Sequence, residues 1–303
     1  MNTIEKLKVW WLLSRPPFHL VGIFPFILGT VIAWREGNFR WSVFLLATLV
    51  VILIMLVTYH SGEYYDYETD SINVNYNKFS GGTRILPAGL IPRHHVLIAT
   101  RIWLFLIAAL GLVLYFYYKT GPYTLPLGAF GLLCGYFYTT KPFQWAYRGI
   151  GEILIGICYG WLTVNTAYYL QTQHFSLIPT LASIPISISI FLVILINEFP
   201  DYQSDKVSGK NNLVVRFGQE KMAILYISLI IACFISIMVG LLYGIPWLVA
   251  SLSILPLFLI VLNIRAIWGG GFRQARVLEG LCARTTFINW LLAGIYIIAF
   301  LAL

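Results

Sequence analysis

Residues 62–70 read Gly-Glu-Tyr-Tyr-Asp-Tyr-Glu-Thr-Asp, and residues 197–205 read Asn-Glu-Phe-Pro-Asp-Tyr-Gln-Ser-Asp. Superposed, Glu63 falls on Glu198, Asp66 on Asp201, Tyr67 on Tyr202 and Asp70 on Asp205. Those four aspartates are the only ones in the chain. Each copy of the Glu-x-x-Asp-x-x-x-Asp pattern follows directly on a long apolar run. On a helix, positions i, i+3 and i+7 share one face, and four residues rise by about 6 Å. Each copy can therefore aim its carboxylates at a common point. Like charges stacked in this way repel, and beside an apolar medium unpaired carboxylates are costlier still. A divalent cation relieves both problems. An all-oxygen donor set favours Mg²⁺ or Ca²⁺ over zinc, and Mg²⁺ takes few carboxylates, keeps waters and is shared with phosphate oxygens. The plainer alternative, solvated loop charges beside apolar helices, does not account for every Asp lying in two matched copies.

The rest of the 303-residue chain sets the surroundings of these motifs. It is 59% hydrophobic and 11% charged, against roughly a quarter charged in ordinary soluble domains. Apolar runs of about 20 residues, enough to cross a hydrocarbon core of about 30 Å, recur throughout. The short alternating segments of a β-barrel are absent. The expected fold is all-α: a polytopic bundle of about nine transmembrane helices, forming one domain over residues 1–303 with an active-site cap on the cytoplasmic side. The spans are expected near 17–35, 42–61, 96–118, 122–140, 149–170, 177–197, 222–243, 246–266 and 283–302. The start of the chain is not expected to be a cleaved signal, because Lys6, Lys8 and the Arg15-Pro16-Pro17 run lack a small-residue cleavage site. Cys134, Cys158, Cys233 and Cys282 show no metal-ligand spacing and are expected to be packing residues.

Topology follows from the span count. Four spans separate the two acidic stretches, so both fall on one side. With the N-terminus on that side, it collects every Lys and Arg except Arg35, Arg40 and Lys119. The positive-inside rule then puts both motifs in the cytoplasm and the C-terminus outside, in a multi-pass protein of the cell membrane. The same rule explains the net charge of +8, and nucleic acid is not an expected partner.

Basic residues accompany each motif. Gly81-Gly82-Thr83-Arg84 follows the first, and Lys206 and Lys210 follow the second. Acids to hold metal, with Arg and Lys to bind phosphate through charge-assisted hydrogen bonds, suit a diphosphate. The expected metal ligands are Glu63, Asp66, Asp70, Glu198, Asp201 and Asp205. The expected diphosphate contacts are Arg84, Asn197, Lys206 and Lys210, with Arg15, Lys141 and Arg148 as weaker candidates that also serve as positive-inside anchors. His60 lies three residues before Glu63 and is a candidate for contacting an acceptor, although a polar residue facing the bundle interior is the plainer reading.

In these motifs the sequence resembles the UbiA-type superfamily of intramembrane prenyltransferases. The family's first motif usually reads Asn-Asp-x-x-Asp-x-x-x-Asp; here Asp66 and Asp70 match while Gly62 and Glu63 depart from it. Arg84-Ile85-Leu86-Pro87-Ala88-Gly89 is similar to the family's Arg-x-Leu-Pro-x-Gly. The second segment, from Asn197 through Lys206 and on to Gly218, is closest to the branch that prenylates 1,4-dihydroxy-2-naphthoate. The resemblance implies Mg²⁺-dependent transfer of an isoprenoid chain, within the bilayer, from a prenyl diphosphate to an aromatic acceptor in menaquinone or quinone synthesis, with Asp66, Asp70, Asp201 and Asp205 as the catalytic acids. A carbocation so formed needs ring faces nearby, and Tyr65, Tyr138 and Tyr202 are candidates. An ether-lipid prenyltransferase of the same superfamily is the nearer rival. In a different class, an ion-coupled transporter competes, although its acids belong at the membrane midplane.

Asp66→Ala, Asp201→Ala and Asp205→Ala are each expected to abolish turnover and weaken diphosphate binding. Diphosphate release measured with a prenyl diphosphate and Mg²⁺ checks this, and full activity in any one of them contradicts the site.

Overall fold

The computed structural model describes residues 2–303, and all its regular elements are helical. Helix α1 (Thr3–Leu13) opens on a capping box in which Asn2 and Glu5 satisfy each other's backbone N–H groups. The chain turns at Arg15 and enters α2 (Pro16–Arg35), where Pro16 stands at the first helical position, a site needing no N–H. Then come α3 (Trp41–Tyr65), the short α4 (Tyr67–Ile72), and α5 (Arg93–Leu112), which a π-helical turn extends through Val113–Tyr117. After α6 (Thr124–Tyr136), one long rod is built from α7 (Gly151–Gly156), a π-helical segment (Ile157–Leu162) and α8 (Thr163–Thr172). Helix α9 (Leu177–Asn197) leads to the short α10 (Tyr202–Val207) and α11 (Leu213–Phe217). Finally α12 (Gln219–Leu242), α13 (Trp247–Leu252), α14 (Ile254–Trp268) and α15 (Ala275–Leu301) complete the bundle.

The expected spans match these rods in order. Seven are long and apolar enough to cross a membrane, while α6 and α14 are shorter. The chain is thus a multi-pass membrane protein with seven crossings licensed by length and composition among the described residues. Of the two other expected spans, 122–140 ends early because the chain turns from Phe137 onward, and 246–266 is interrupted at Ser253, between α13 and α14. Lipid takes the place of a core on the outer faces, where Phe105, Phe258 and Leu242 are 72%, 70% and 82% exposed.

Helix α9 occupies the centre, packed against the α7–α8 rod, α12 and α15, and α2 bridges α8 and α15. Small residues permit the close approaches. A Cβ on Gly29 of α2 would strike the Val164 carbonyl oxygen and lie 2.9 Å from the Ala167 methyl. Polar side chains are satisfied between helices. Asn289 of α15 donates to Ser189 Oγ of α9 at 2.8 Å, and Asn263 of α14 donates to Tyr226 of α12 at 3.0 Å while accepting from Arg284 at 2.6 Å. At the end of the bundle remote from the acids, Arg40 donates to the carbonyls of Tyr118 and Leu170 at 2.9 and 2.8 Å. Arg40 therefore ties the start of α3 to the ends of α5 and α8.

Gly29→Leu is expected to destabilise the bundle by about 1–3 kcal/mol through overpacking. It should show as a lowered thermal midpoint in detergent, and an unchanged midpoint would contradict the packing described.

Candidate functional site

The local fold departs from the expectation of one continuous helical face for each motif. Both copies straddle a helix break. Helix α3 stops at Tyr65, Asp66 is the junction, and Asp70 sits in α4. Likewise α9 stops at Asn197, Asp201 precedes α10, and Asp205 lies inside it. In the second copy Pro200 lacks the N–H that a continuing helix needs. Single helical hydrogen bonds still span each Asp pair: Asp70 N–H to Asp66 O and Asp205 N–H to Asp201 O, both 2.8 Å. Asp66–Asp70 and Asp201–Asp205 spacing is thereby kept, while the break tips both pairs inward.

The two motifs meet at one end of the bundle. Asn73 Nδ2 donates to Asp201 Oδ1 at 2.7 Å and the Gly81 N–H donates to Asp201 Oδ2 at 3.1 Å, so the loop after the first motif grips the second. Lys210 Nζ lies 3.5 Å from Asp66 Oδ2 and 3.9 Å from Asp205 Oδ1, one carboxylate from each copy. Tyr147 donates to Asp66 Oδ1 at 2.8 Å, and Asn212 donates to Asp205 Oδ2 at 2.7 Å. Gly82, at φ +69°, packs so tightly on the Asp70 carboxylate that a Cβ would strike it. Glycine is the residue that tolerates both the backbone angle and the contact.

Lys210, Gly82 and the four aspartates line a cavity of about 180 Å³ that also takes in Arg15, Asn197 and Glu198. Its electrostatics follow from crowding acids away from water. Burial, with Asp66 and Glu63 adding to it, pushes Asp70 up to about 8. Asp205 is pushed up to about 7 by burial, against the pull of Lys210. Burial also raises Asp201, and raises Glu198 well above the usual range with the Glu152 carboxyl alongside. For Lys210 burial acts downward, but Asp205 and Asp66 hold it well above its ordinary value.

The remaining expected site residues divide. Glu63 is buried with both oxygens taken: Oε1 by Arg15 at 3.0 Å and by the Thr83 N–H at 2.8 Å, Oε2 by the Thr83 hydroxyl at 2.8 Å. Glu63, an expected metal ligand, thus braces Arg15 and the Thr83 loop in this structure. Arg84 donates to the Asp70 carbonyl and lies 4.4 Å from the Tyr76 ring centroid, which positions the motif. Lys206 is exposed beside the Tyr202 ring, 5.9 Å away. Lys141 and Arg148 are exposed outside the cavity. His60 faces away from it, taking a hydrogen bond from Trp103 Nε1 at 3.2 Å and packing on Trp10. Tyr65 packs on Tyr64, outside the cavity, whereas Tyr138 lines it. Sequence reasoning missed Tyr147, Asn73, Thr83 and Asn212, whose hydrogen bonds hold Asp66, Asp201, Glu63 and Asp205 in place, and Glu152, which accepts the Leu213 N–H at 2.6 Å. Only Gly81-Gly82-Thr83 left a signal, as a Gly-rich loop next to the motif.

Among the described residues, no three His, Cys, Asp or Glu side chains surround a point closely enough to cage a metal ion. Asn197 Oδ1 and Glu198 Oε2 are nonetheless buried without a hydrogen-bond partner, a costly condition for a polar atom. The donors present are all oxygens. They fit a Mg²⁺ shared with phosphate oxygens and completed by them.

A second cavity of about 380 Å³ adjoins the first. It is a groove between α3, α5, α6 and the α7–α8 rod, lined by aliphatic side chains. Thr58, Tyr138, Ile155 and Tyr159 line both cavities and form the neck between them. The groove continues along α3 as far as Ala47. Eleven residues of helix, about 16 Å, separate that point from the neck.

Comparison with known proteins agrees with this architecture. The sequence profile of the UbiA prenyltransferase family matches residues 22–279. The chain is 27% identical over 222 residues to a 1,4-dihydroxy-2-naphthoate octaprenyltransferase of Bacillus subtilis, covering 70% of this chain and 67% of that protein. It is 29% identical over 225 residues to the octaprenyltransferase of the same description from Escherichia coli, covering 71% and 70%. Among solved structures, a UbiA homolog from Archaeoglobus fulgidus bound to GPP and Mg²⁺ superposes with a TM-score of 0.64 at 15% identity, over 97% of this chain and all of that one. A digeranylgeranylglyceryl phosphate synthase gives 0.63 at 20% identity over 99% of this chain. At these identities the structural likeness speaks for the fold alone.

Because Asp70 and Asp205 sit at about 8 and about 7, they become fully charged only as pH rises through those values. Mg²⁺-dependent binding of a diphosphate is therefore expected to strengthen as pH climbs through that window and to weaken below it. Isothermal titration across the range checks this, and an affinity that is flat with pH contradicts the assignment.

Proposed function

The chain belongs to the UbiA prenyltransferase family, and on that premise we propose that it joins a prenyl chain from its diphosphate to an aromatic acceptor of the dihydroxynaphthoate class, in quinone biosynthesis. One observation carries the reading: the acid-lined, lysine-bearing cavity opens through a neck of two tyrosines directly into an apolar groove. A molecule with a diphosphate head and an isoprenoid tail has that shape and polarity. The naphthoate octaprenyltransferases of Bacillus subtilis and Escherichia coli support the acceptor class. The UbiA homolog bound to GPP and Mg²⁺ supports the donor.

In this assignment Lys210 and Arg15 bind the diphosphate oxygens. Asp66, Asp70, Asp201, Asp205 and Glu198, with the Asn197 carbonyl, hold Mg²⁺, which when bound neutralises charge building on the leaving diphosphate. The bond between the allylic carbon and oxygen breaks, a carbon–carbon bond forms to the acceptor ring, and the ring gives up a proton. The Tyr138 and Tyr159 rings stand at the neck, where the cationic carbon emerges, and offer it ring faces. The groove takes the tail out of the polar cavity and lets it meet apolar side chains and lipid, so the tail is never stranded in water. The positive-inside count supports a site on the cytoplasmic side, with the N-terminus there.

An ether-lipid acceptor of the glycerol-phosphate type is the second reading, and the fold shared with digeranylgeranylglyceryl phosphate synthase is what keeps it in view. An ion-coupled carrier fits less well, because the acids lead into an aliphatic groove in place of a polar path. Membranes containing the protein, given labelled prenyl diphosphate and a panel of acceptors, separate these readings by product mass. A prenylated naphthoate is expected. Product only with glycerol phosphate, or no diphosphate released with any acceptor, would overturn the proposal.

The groove adds a sharper test. Gly128 on α6 lines it, and a Cβ there meets nothing within 4 Å. Gly128→Trp is expected to fill the groove and to raise KM for a long-chain prenyl diphosphate several-fold more than for geranyl diphosphate. Equal effects on both would place the tail elsewhere.

A further inference from the structure

The segment between α6 and α7 reaches both motifs. From it Tyr147 donates to Asp66 of the first motif at 2.8 Å. Just beyond it stands Glu152, in the first turn of α7 and 0% exposed. Glu152 lines neither cavity. Among the described residues no Lys, Arg or His stands within ion-pair distance of it. Its Oε2 is buried without a hydrogen-bond partner, and its Oε1 accepts the Leu213 N–H at 2.6 Å. A carboxyl held out of water is costly unless its bonds serve the fold. Here the bond joins segments 61 positions apart in sequence.

Leu213 is the first residue of α11, where a backbone N–H has no partner inside the helix. Asn212, fully buried before it, caps the helix: its Oδ1 accepts the Val215 N–H at 2.9 Å while its Nδ2 donates to Asp205. Two residues further back is Lys210, whose own N–H donates to the Asp205 carbonyl at 2.9 Å. These bonds to Asp205 fasten the 208–212 turn to α10, its neighbour in sequence. The Glu152 bond fastens the same turn to the α7–α8 rod, which packs on α9. Arg216 Nη2 reinforces it by donating to the Arg148 carbonyl at 2.8 Å.

We propose that Glu152 is a positioning residue for diphosphate binding: through the Leu213 N–H it pins the 208–212 turn to the α7–α8 rod and so sets the Lys210 ammonium between Asp66 and Asp205. This rests on Lys210 contacting the diphosphate, as in the proposed function. Tyr147 and Glu152 are then two ends of one strap. The first holds an aspartate of the first motif, and the second holds the turn that follows the second motif.

The bond can be removed from its donor side. The first position of a helix needs no N–H, and Asn212, at ψ 176°, is already extended, as the residue before a proline must be. Leu213→Ala also loses the leucine side chain but keeps the N–H, so comparing it with Leu213→Pro isolates the bond to Glu152. The full chain in lipid nanodiscs is titrated with farnesyl thiodiphosphate, a non-reactive analogue, in the presence of Mg²⁺. Leu213→Pro is expected to bind roughly tenfold more weakly than Leu213→Ala, the order expected when a buried hydrogen bond loses one partner. Glu152→Gln, which keeps an accepting oxygen, should bind more tightly than Glu152→Met, which does not. Both differences should vanish in a Lys210→Met background, because the effect runs through that ammonium, whereas a general disturbance of the turn would preserve them. Equal affinities for Leu213→Pro and Leu213→Ala overturn the proposal, as do differences that persist without Lys210. A parent protein that binds no thiodiphosphate would sink the proposed function separately. The rate at which an acylating reagent modifies Lys210, read by peptide mass, then decides the positioning: it should be several-fold faster in Leu213→Pro than in Leu213→Ala, and equal rates overturn it. The same rates decide it if Lys210→Met does not fold.

Discussion

Carboxylates from two distant parts of the chain crowd around one buried ammonium, and the rest of the site is arranged to tolerate that crowding. Lys210 touches Asp66 of the first motif and Asp205 of the second. Burial weakens it as a cation and the two carboxylates restore it. One lysine does not balance Asp66, Asp70, Asp201, Asp205 and Glu198. Burial therefore pushes Asp70 and Asp205 up toward neutrality. A cavity in that condition gains from an added cation, and a polyanion can follow once the cation is in place. Removing Lys210 would strand the carboxylates around it, at a cost of about 3–5 kcal/mol, so this one lysine binds the two motifs to each other.

The helices around the cluster serve this arrangement. Each motif is kept by one helical hydrogen bond across a helix break, so its two aspartates stay one turn apart while turning inward. Asn73 and Gly81 fix Asp201, Thr83 and Arg15 fix Glu63, and Asn212 fixes Asp205. Below the cluster polarity drops within about one and a half helical turns, from Glu63 to the neck at Thr58 and Tyr159 and on to the apolar groove. That gradient is what sorts a diphosphate head from an isoprenoid tail.

Much of this was legible in the sequence, because it was written in residue types that are scarce in a membrane chain. Four aspartates at matched spacing reveal themselves, and so do apolar runs long enough to cross a bilayer. Side-chain direction at a broken helix was not legible. Glu63 and Glu198 occupy equivalent positions in the repeat, yet Glu63 is fully engaged by Arg15 and Thr83 while Glu198 keeps an unpartnered oxygen. His60 shares a helical face with Glu63 in projection, but Trp10 and Trp103 claim it. Lys206 and Lys210 differ by four positions, and only Lys210 reaches the acids.

The central claim is that the two motifs form one site and not two. A double-mutant cycle between Asp66 and Asp205 measures it directly, reading Mg²⁺-dependent affinity for a non-reactive prenyl thiodiphosphate in Asp66→Asn, Asp205→Asn and the double variant. The account predicts strong coupling, with the double variant losing little more affinity than either single one, as expected of groups that share a ligand. Losses that simply add would mean that the carboxylates act apart, and would contradict it.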